Sequence, residues 1–224
     1  MKKIAGFILL FAPFALFSQE QPAKKEKKPE HHYIGIGIKA GFNFSNISNA
    51  SMINNSSRTG YHFGLFLAPS NKSILGSRTE LIYSRHGYNY KDSGSAGSVN
   101  LDYIMLAQLL AINITKYVQI QLGAQTSYLL SAKADSSIPS TGSPSTDKLI
   151  SYYNRIDYGY GLGVEIHPVM GLLIGARYNV SLANLYKQPS SYISSNGTPP
   201  SFVPSTSSIN LKNNVIQLFV GWRF

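Results

Sequence analysis

Apolar and polar side chains alternate with a period of two along most of this chain. From Asn214 to Phe224 the even positions Ile216, Leu218, Val220, Trp222 and Phe224 are apolar, while the odd ones include Gln217, Gly221 and Arg223. Successive side chains of a strand point to opposite faces, so such a segment has one oily and one polar face. The same pattern places strands near 34–44, 60–68, 74–88, 99–112, 118–130, 152–166, 172–182 and 214–224. None of these spans contains a proline, as an unbroken hydrogen-bond ladder requires. Ile34, Ile36, Ile38, Ala40, Phe42 and Phe44 alternate with Gly35, Gly37, Lys39, Gly41 and Asn43. Tyr158, Tyr160, Leu162, Val164 and Ile166 alternate with Asp157, Gly159, Gly161, Gly163 and Glu165. The segment 99–112 has the weakest pattern, with Asp102 and Gln108 on a face with Ile104, Leu106 and Leu110, so its facing stays open.

The connections alternate as well. Segments 69–73, 113–117 and 167–171 are short, whereas 45–59, 89–98, 131–151 and 183–213 are long and rich in Ser, Asn, Gly, Thr and Pro. A meander with all short turns at one rim and all long loops at the other gives this order, and membrane barrels have that asymmetry. The fold class predicted is all-β: an eight-stranded antiparallel up-and-down transmembrane β-barrel. A soluble barrel of the lipocalin kind would put the oily face inside. Here that face carries too many large side chains for an interior that eight strands leave barely wide enough to fill. The polar face is rich in Gly, which suits a crowded lumen. Tyr83, Tyr103, Tyr128, Tyr178 and Trp222 recur towards the ends of the oily stripes, as in aromatic girdles.

The polar face supplies the candidate site. Lys39, Arg78, Arg155, Arg177 and Arg223 against Glu80, Asp102, Asp157 and Glu165 are assigned to the lumen, with Gln119, Gln121, Gln125 and Gln217 near them. Charge in a narrow lumen is costly unless paired. The near-balance of signs therefore predicts a hydrogen-bonded plug in preference to an ion path.

The ends and the charge add less. Met1-Lys2-Lys3 followed by Ile4 to Phe17 has a basic start and a short apolar core broken by Pro13, which reads as a signal peptide over 1–18. Residues 19–33, with Lys24, Lys25, Lys27 and Lys28, read as a basic disordered periplasmic tether, and 34–224 as the barrel. The formal charge of +10 falls to +8 without Lys2 and Lys3. Nucleic acid is a poor fit, since the basic residues are not interleaved with exposed aromatics. The chain has no Cys, which excludes disulfides, thiolate metal sites and a lipid anchor on Cys. No metal or cofactor is expected: His31-His32 lacks a third ligand, and the glycine runs are period-two strand glycines. Ser84, His86 and Asp92 near the end of the third segment are the one constellation that a rim-site hydrolase or acyltransferase could use. No nucleophile elbow accompanies them, so no catalytic residue is assigned.

With the strands in place the chain resembles the PorT-type outer-membrane β-barrel family, small barrels common in Bacteroidota. The residues that carry the likeness are Gly37-Ile38-Lys39-Ala40-Gly41-Phe42-Asn43-Phe44-Ser45-Asn46, Gly60-Tyr61-His62-Phe63-Gly64, and Glu80-Leu81-Ile82-Tyr83-Ser84-Arg85-His86-Gly87. Leu122-Gly123-Ala124-Gln125, Gly159-Tyr160-Gly161-Leu162-Gly163, Ala176-Arg177-Tyr178 and the ending on Phe224 continue it. Where relatives often have a Glu-Ile-Pro step, this chain has Met105-Leu106-Ala107. The resemblance implies an outer-membrane location and recognition of Trp222 and Phe224 by the barrel-assembly machinery; with short turns periplasmic and eight strands, both termini are expected in the periplasm. It carries no catalytic residues over. The expected role is a non-enzymatic structural, interaction or assembly component of the envelope, acting through its extracellular loops on another envelope protein, with outer-membrane lipid around it. Alternatives are an accessory of type IX-like secretion, to which the family's founding member is linked, or a narrow solute or ion channel.

Overall fold

The computed structural model describes residues 34–48, 56–69, 74–92, 95–136, 146–187, 203 and 211–224. The signal-peptide and tether expectations over 1–18 and 19–33 lie outside them. Eight strands, β1 (Ile34–Ser48), β2 (Ser56–Pro69), β3 (Leu75–Asp92), β4 (Ser95–Asn113), β5 (Val118–Ser136), β6 (Ile156–Ile166), β7 (Leu172–Ser181) and β8 (Lys212–Arg223), form a closed barrel in sequence order. Every neighbouring pair is antiparallel, and β1 closes the ring on β8 through partners such as Ala40 with Val220 and Asn43 with Gln217. Closure leaves no unpaired edge, the condition for strands to cross a bilayer.

The period-two pattern decides the two faces. Ile36, Ile38, Phe42, Phe63, Leu65, Leu122, Leu162, Val164, Ile174, Leu218 and Val220 are exposed on the outer wall, while Lys39, Asn43, His62, Arg78, Glu80, Gln121, Glu165, Arg177 and Gln217 are buried inside. Two interior glycines make room for rings. A Cβ on Gly37 would meet the Phe66 ring at 2.1 Å, and one on Gly175 would meet the Phe219 ring at 2.5 Å. The turn between β6 and β7 closes on Gly171 at φ 89°, a left-handed conformation that favours glycine.

Strand ends differ from the sequence reading. β1, β3 and β5 run about one turn of pleat further towards the long-connection rim, so Lys133, expected in a loop, stands exposed on β5. Residues 152–155 are not strand: a short helix, α1 (Thr146–Tyr152), precedes β6. Tyr103, expected in the outer girdle, is buried in the interior, whereas Tyr128, Tyr178 and Trp222 are exposed on the outer wall. In β4 the open facing resolves: Tyr103, Met105, Ala107 and Leu109 point in, and Ile104 and Leu110 point out. A bulge at Leu130 of β5, between the pairs Asp102–Ser131 and Tyr103–Leu129, shifts the register there.

Candidate functional site

The interior is stratified along the barrel axis. In the half nearer the short turns, Glu80 of β3 is the hub. Its carboxylate accepts from Lys39 Nζ at 2.7 Å and from Arg177 Nη1 and Nη2 at 2.6 and 2.9 Å, and lies 2.7 Å from Arg78 Nε. Arg78 Nη1 reaches across to Glu165 of β6 at 2.9 Å, and Gln121 Nε2 donates to the same carboxylate at 2.9 Å. His167, in the turn after β6, lies 3.1 Å from Glu165. The cations also lie over rings: Arg78 sits 3.8 Å from the Phe66 centroid and Lys39 4.3 Å from that of Phe219. Five strands thus converge on one cluster, with the side chains of both glutamates fully buried.

The middle layer is neutral and polar. Asn43 Nδ2 donates to Ser84 Oγ at 2.9 Å, and Asn43 Oδ1 contacts His62 Nδ1 at 2.8 Å and Gln217 Nε2 at 3.2 Å. Ser84 Oγ and His86 Nε2 are 2.8 Å apart, and Asn213 Nδ2 donates to His86 Nδ1 at 3.0 Å. Ser84 and His86 therefore stand in the barrel interior, not at its rim; the Asp92 side chain lies outside the described residues. His86 is thus held between a serine hydroxyl and an amide, and among the described residues no carboxylate is bonded to its ring. A general base that draws a proton from serine is ordinarily oriented by such a carboxylate.

The layer at the long-connection end was not anticipated from the sequence. Leu149 and Tyr152 of α1, with Tyr153, Leu185, Tyr186, Val203 and Leu211, pack onto Tyr88, Val99, Leu101, Tyr103 and Leu129 of the wall. The hydroxyl of Tyr88 bonds those of both Tyr153, at 2.8 Å, and Tyr186. The Tyr153 and Tyr186 rings stack at 4.8 Å. Burial pushes the Tyr153 phenol well above its ordinary value, so it stays a neutral donor. Loop segments fold down into the mouth because the wall there is apolar. The signal was present as Leu149-Ile150, Tyr152-Tyr153 and Leu185-Tyr186, large apolar side chains inside otherwise small, polar loops. Tyr88→Phe removes the shared hydroxyl, so the buried Tyr153 and Tyr186 hydroxyls, 3.5 Å apart, each lose one bond. A loss of about 1–3 kcal/mol in unfolding free energy is expected, read from urea titration in detergent.

The remaining charged positions separate. Arg85 and Asp102 form a two-point pair on the outer wall, at 2.6 and 3.0 Å, with Arg85 5.1 Å from the Tyr61 centroid; Asp102 is thus outside, not in the lumen. It takes that face because Leu101 and Tyr103 flank it and turn inward. Arg155, also assigned to the lumen, is exposed before β6 begins and donates to the outward Tyr128 hydroxyl at 3.1 Å. Asp157 accepts from Ser181 Oγ at the long-connection end of β6. Arg223 lies at the short-turn end with its stem over Gly35. Trp222 packs beside Gly171, and the Phe224 amide donates to Ile36 O at 2.9 Å. Among the described residues no group of His, Asp or Glu is arranged to hold a metal ion.

Several solved structures are similar at low identity. Ail, the attachment invasion locus protein of Yersinia pestis, solved in complex with the heparin analogue sucrose octasulfate, is 17% identical over 85% of this chain and 99% of that one, with a TM-score of 0.47. Neisserial surface protein A is 18% identical over 84% and 97%, at 0.48, and OprG from Pseudomonas aeruginosa is 13% identical over 87% and 97%, at 0.41. No curated relative matches the chain. A family model described as outer membrane protein beta-barrel domain matches residues 17–187, well over half the length. The chain belongs to the outer membrane protein beta-barrel domain family.

Proposed function

We propose that this protein is a non-enzymatic component of the outer membrane that acts through its long-connection rim, with its lumen serving as a filled scaffold. Within its family we place it with the PorT-type barrels, on the residues that resemble them. The observation that supports the reading is the occupied interior: a buried ion cluster, then a hydrogen-bonded polar layer, then an apolar cap on Leu149, Tyr153 and Tyr186. Eight strands leave little room beside such side chains, whereas aqueous channels belong to barrels of about 16 strands. Catalysis finds no support in the Ser84–His86 pair, which is buried in the interior with an amide, not a carboxylate, on the far side of the imidazole. In this reading the short turns and both termini are periplasmic, and the long connections face outward, where loops on a rigid scaffold bind partners.

The test has two arms. Planar-bilayer recording of the purified barrel is expected to show no large, stable open channel, and steady porin-like conductance would make solute passage the function instead. Deleting 188–202 spares Leu185, Tyr186 and Leu211 of the cap. The shortened barrel is expected to fold and to lose capture of its envelope partner in affinity purification from native outer membranes. Undiminished capture of the same partner would remove the loop from the proposal.

A further inference from the structure

Above the apolar belt, on the outer wall of β2 to β5, polar groups cross four adjacent strands in one row. Arg58 of β2 lies across the outer face of Gly87, where a Cβ would meet its Cδ at 2.8 Å. Its Nε donates to Asn100 Oδ1 on β4 at 2.8 Å, and its Nη1 to Asn89 Oδ1 on β3 at 3.0 Å. Asn100 is the cross-strand partner of Lys133 on β5, which is exposed. The row stands one outward rung beyond the Arg85–Asp102 pair and two beyond Tyr83 and Ile104. At two residues per rung, it lies roughly 7 Å beyond that pair and roughly 13 Å beyond the tyrosine.

The charges on this face can be counted by sign. Arg58, Arg85, Lys91 and Lys133 are positive, and Asp102 and Asp135 negative. Arg85 and Asp102 satisfy each other. Arg58 is held by two neutral amides, and among the described residues no carboxylate pairs with it or with Lys133. The two amides use only part of the guanidinium's five N–H donors, which leaves Nη2 available in a fixed orientation. The tyrosines Tyr61 and Tyr83, up to two rungs nearer the barrel middle, mark where amphipathic rings leave the hydrocarbon, so the row stands on the headgroup side of them. On that side of the belt the abundant anion is the phosphate of a lipid.

We infer that Arg58 and Lys133, positioned by Asn89 and Asn100, form a site on the outer wall for the phosphate of a membrane-lipid headgroup. Resting on the orientation proposed above, the lipid is the phosphorylated glycolipid of the outer leaflet. Arg58 supplies directed N–H donors and Lys133 a point charge, the combination that suits a phosphate monoester.

The barrel is incorporated into phosphatidylcholine vesicles doped with bis-phosphorylated lipid A, or with phosphatidylglycerol, then extracted and weighed intact to count retained lipid. Lipid A is expected to be retained in preference to phosphatidylcholine. Arg58→Gln with Lys133→Gln is expected to lower retention about tenfold or more, since each basic group near an anionic surface contributes about 1 kcal/mol. Lys133→Gln alone, at an exposed position, tests the site without disturbing Arg58. Lys116→Gln, in the turn at the other rim, is expected to change nothing. Retention of phosphatidylglycerol that the same variants abolish would also support a lipid-phosphate site and would move its source to phospholipid. Retention unchanged in the double variant, or displacement by millimolar inorganic phosphate, would overturn the proposal. Lipid counting in vesicles is indifferent to orientation. Labelling of single cysteines placed in 188–202 on intact cells tests that separately: labelling from the periplasm only would reverse the proposed orientation while leaving the site itself standing.

Discussion

Replacing Glu80 by Ala is expected to lower the unfolding free energy of the barrel by about 3–5 kcal/mol, the cost of leaving buried charges without their partner. Glu80 accepts from Lys39 and from both terminal nitrogens of Arg177, and lies against Arg78 Nε, with no exposure of its side chain. Without it, three buried cations from three strands face one another with only Glu165 to offset them. Glu80→Gln keeps the shape and some of the hydrogen bonds, so its cost is expected to be smaller. Combining Glu80→Gln with Lys39→Met removes one charge of each sign, and this pair is expected to be less damaging than the sum of its parts. Urea midpoints in detergent, followed by intrinsic fluorescence, give all four values. A Glu80→Ala barrel as stable as the parent, or strict additivity in the pair, would mean that water already screens the cluster and that it does not lock these strands together.

That cluster was partly legible in the sequence, and the reason is geometric. A period of two assigns a face without knowledge of any partner, so Lys39, Arg78, Glu80, Glu165 and Arg177 could be put on one side from local alternation alone. What alternation does not fix is register. It could not say that Glu80 would take three cations while Arg78 bridged it to Glu165, because that depends on the stagger of strands far apart in sequence.

The misassigned positions share a cause: each lies where the strict period ends. Asp102 sits at a bulge and between two inward apolar residues, so its polarity pointed to the lumen while its facing was outward. Arg155 falls just before β6, where the chain leaves α1 and no pleat constrains it. Tyr103 has the composition of a girdle residue, yet the wall at that height faces an apolar cap. The cap itself was hidden because its residues are dispersed over 149–153, 185–186, 203 and 211, too far apart to show any period. An interior polar at one end and apolar at the other also explains why β4 has two oily faces. Met105, Ala107 and Leu109 fill space beside the network, while Ile104 and Leu110 are exposed on the outer wall.

Leu162→Arg is expected to cost about 2–4 kcal/mol in a lipid bilayer, the penalty for arginine on the outer face of a membrane barrel near its midplane. Leu162 lies close to the centre of β6, is 53% exposed, and pairs with Leu122 and Tyr178 on either side. All three face outward, so the new guanidinium would stand in hydrocarbon with only the rims to reach for. The same substitution on a barrel whose exposed face met water would relieve an apolar patch and cost little. Urea titration in phosphatidylcholine vesicles, compared with Lys116→Ala in an exposed turn as the unperturbed reference, separates the two situations. A neutral or stabilising Leu162→Arg would mean that the wall of Ile36, Phe63, Leu162, Val164 and Leu218 does not face lipid, whereas the expected loss ties that exposed band to the hydrocarbon of the membrane.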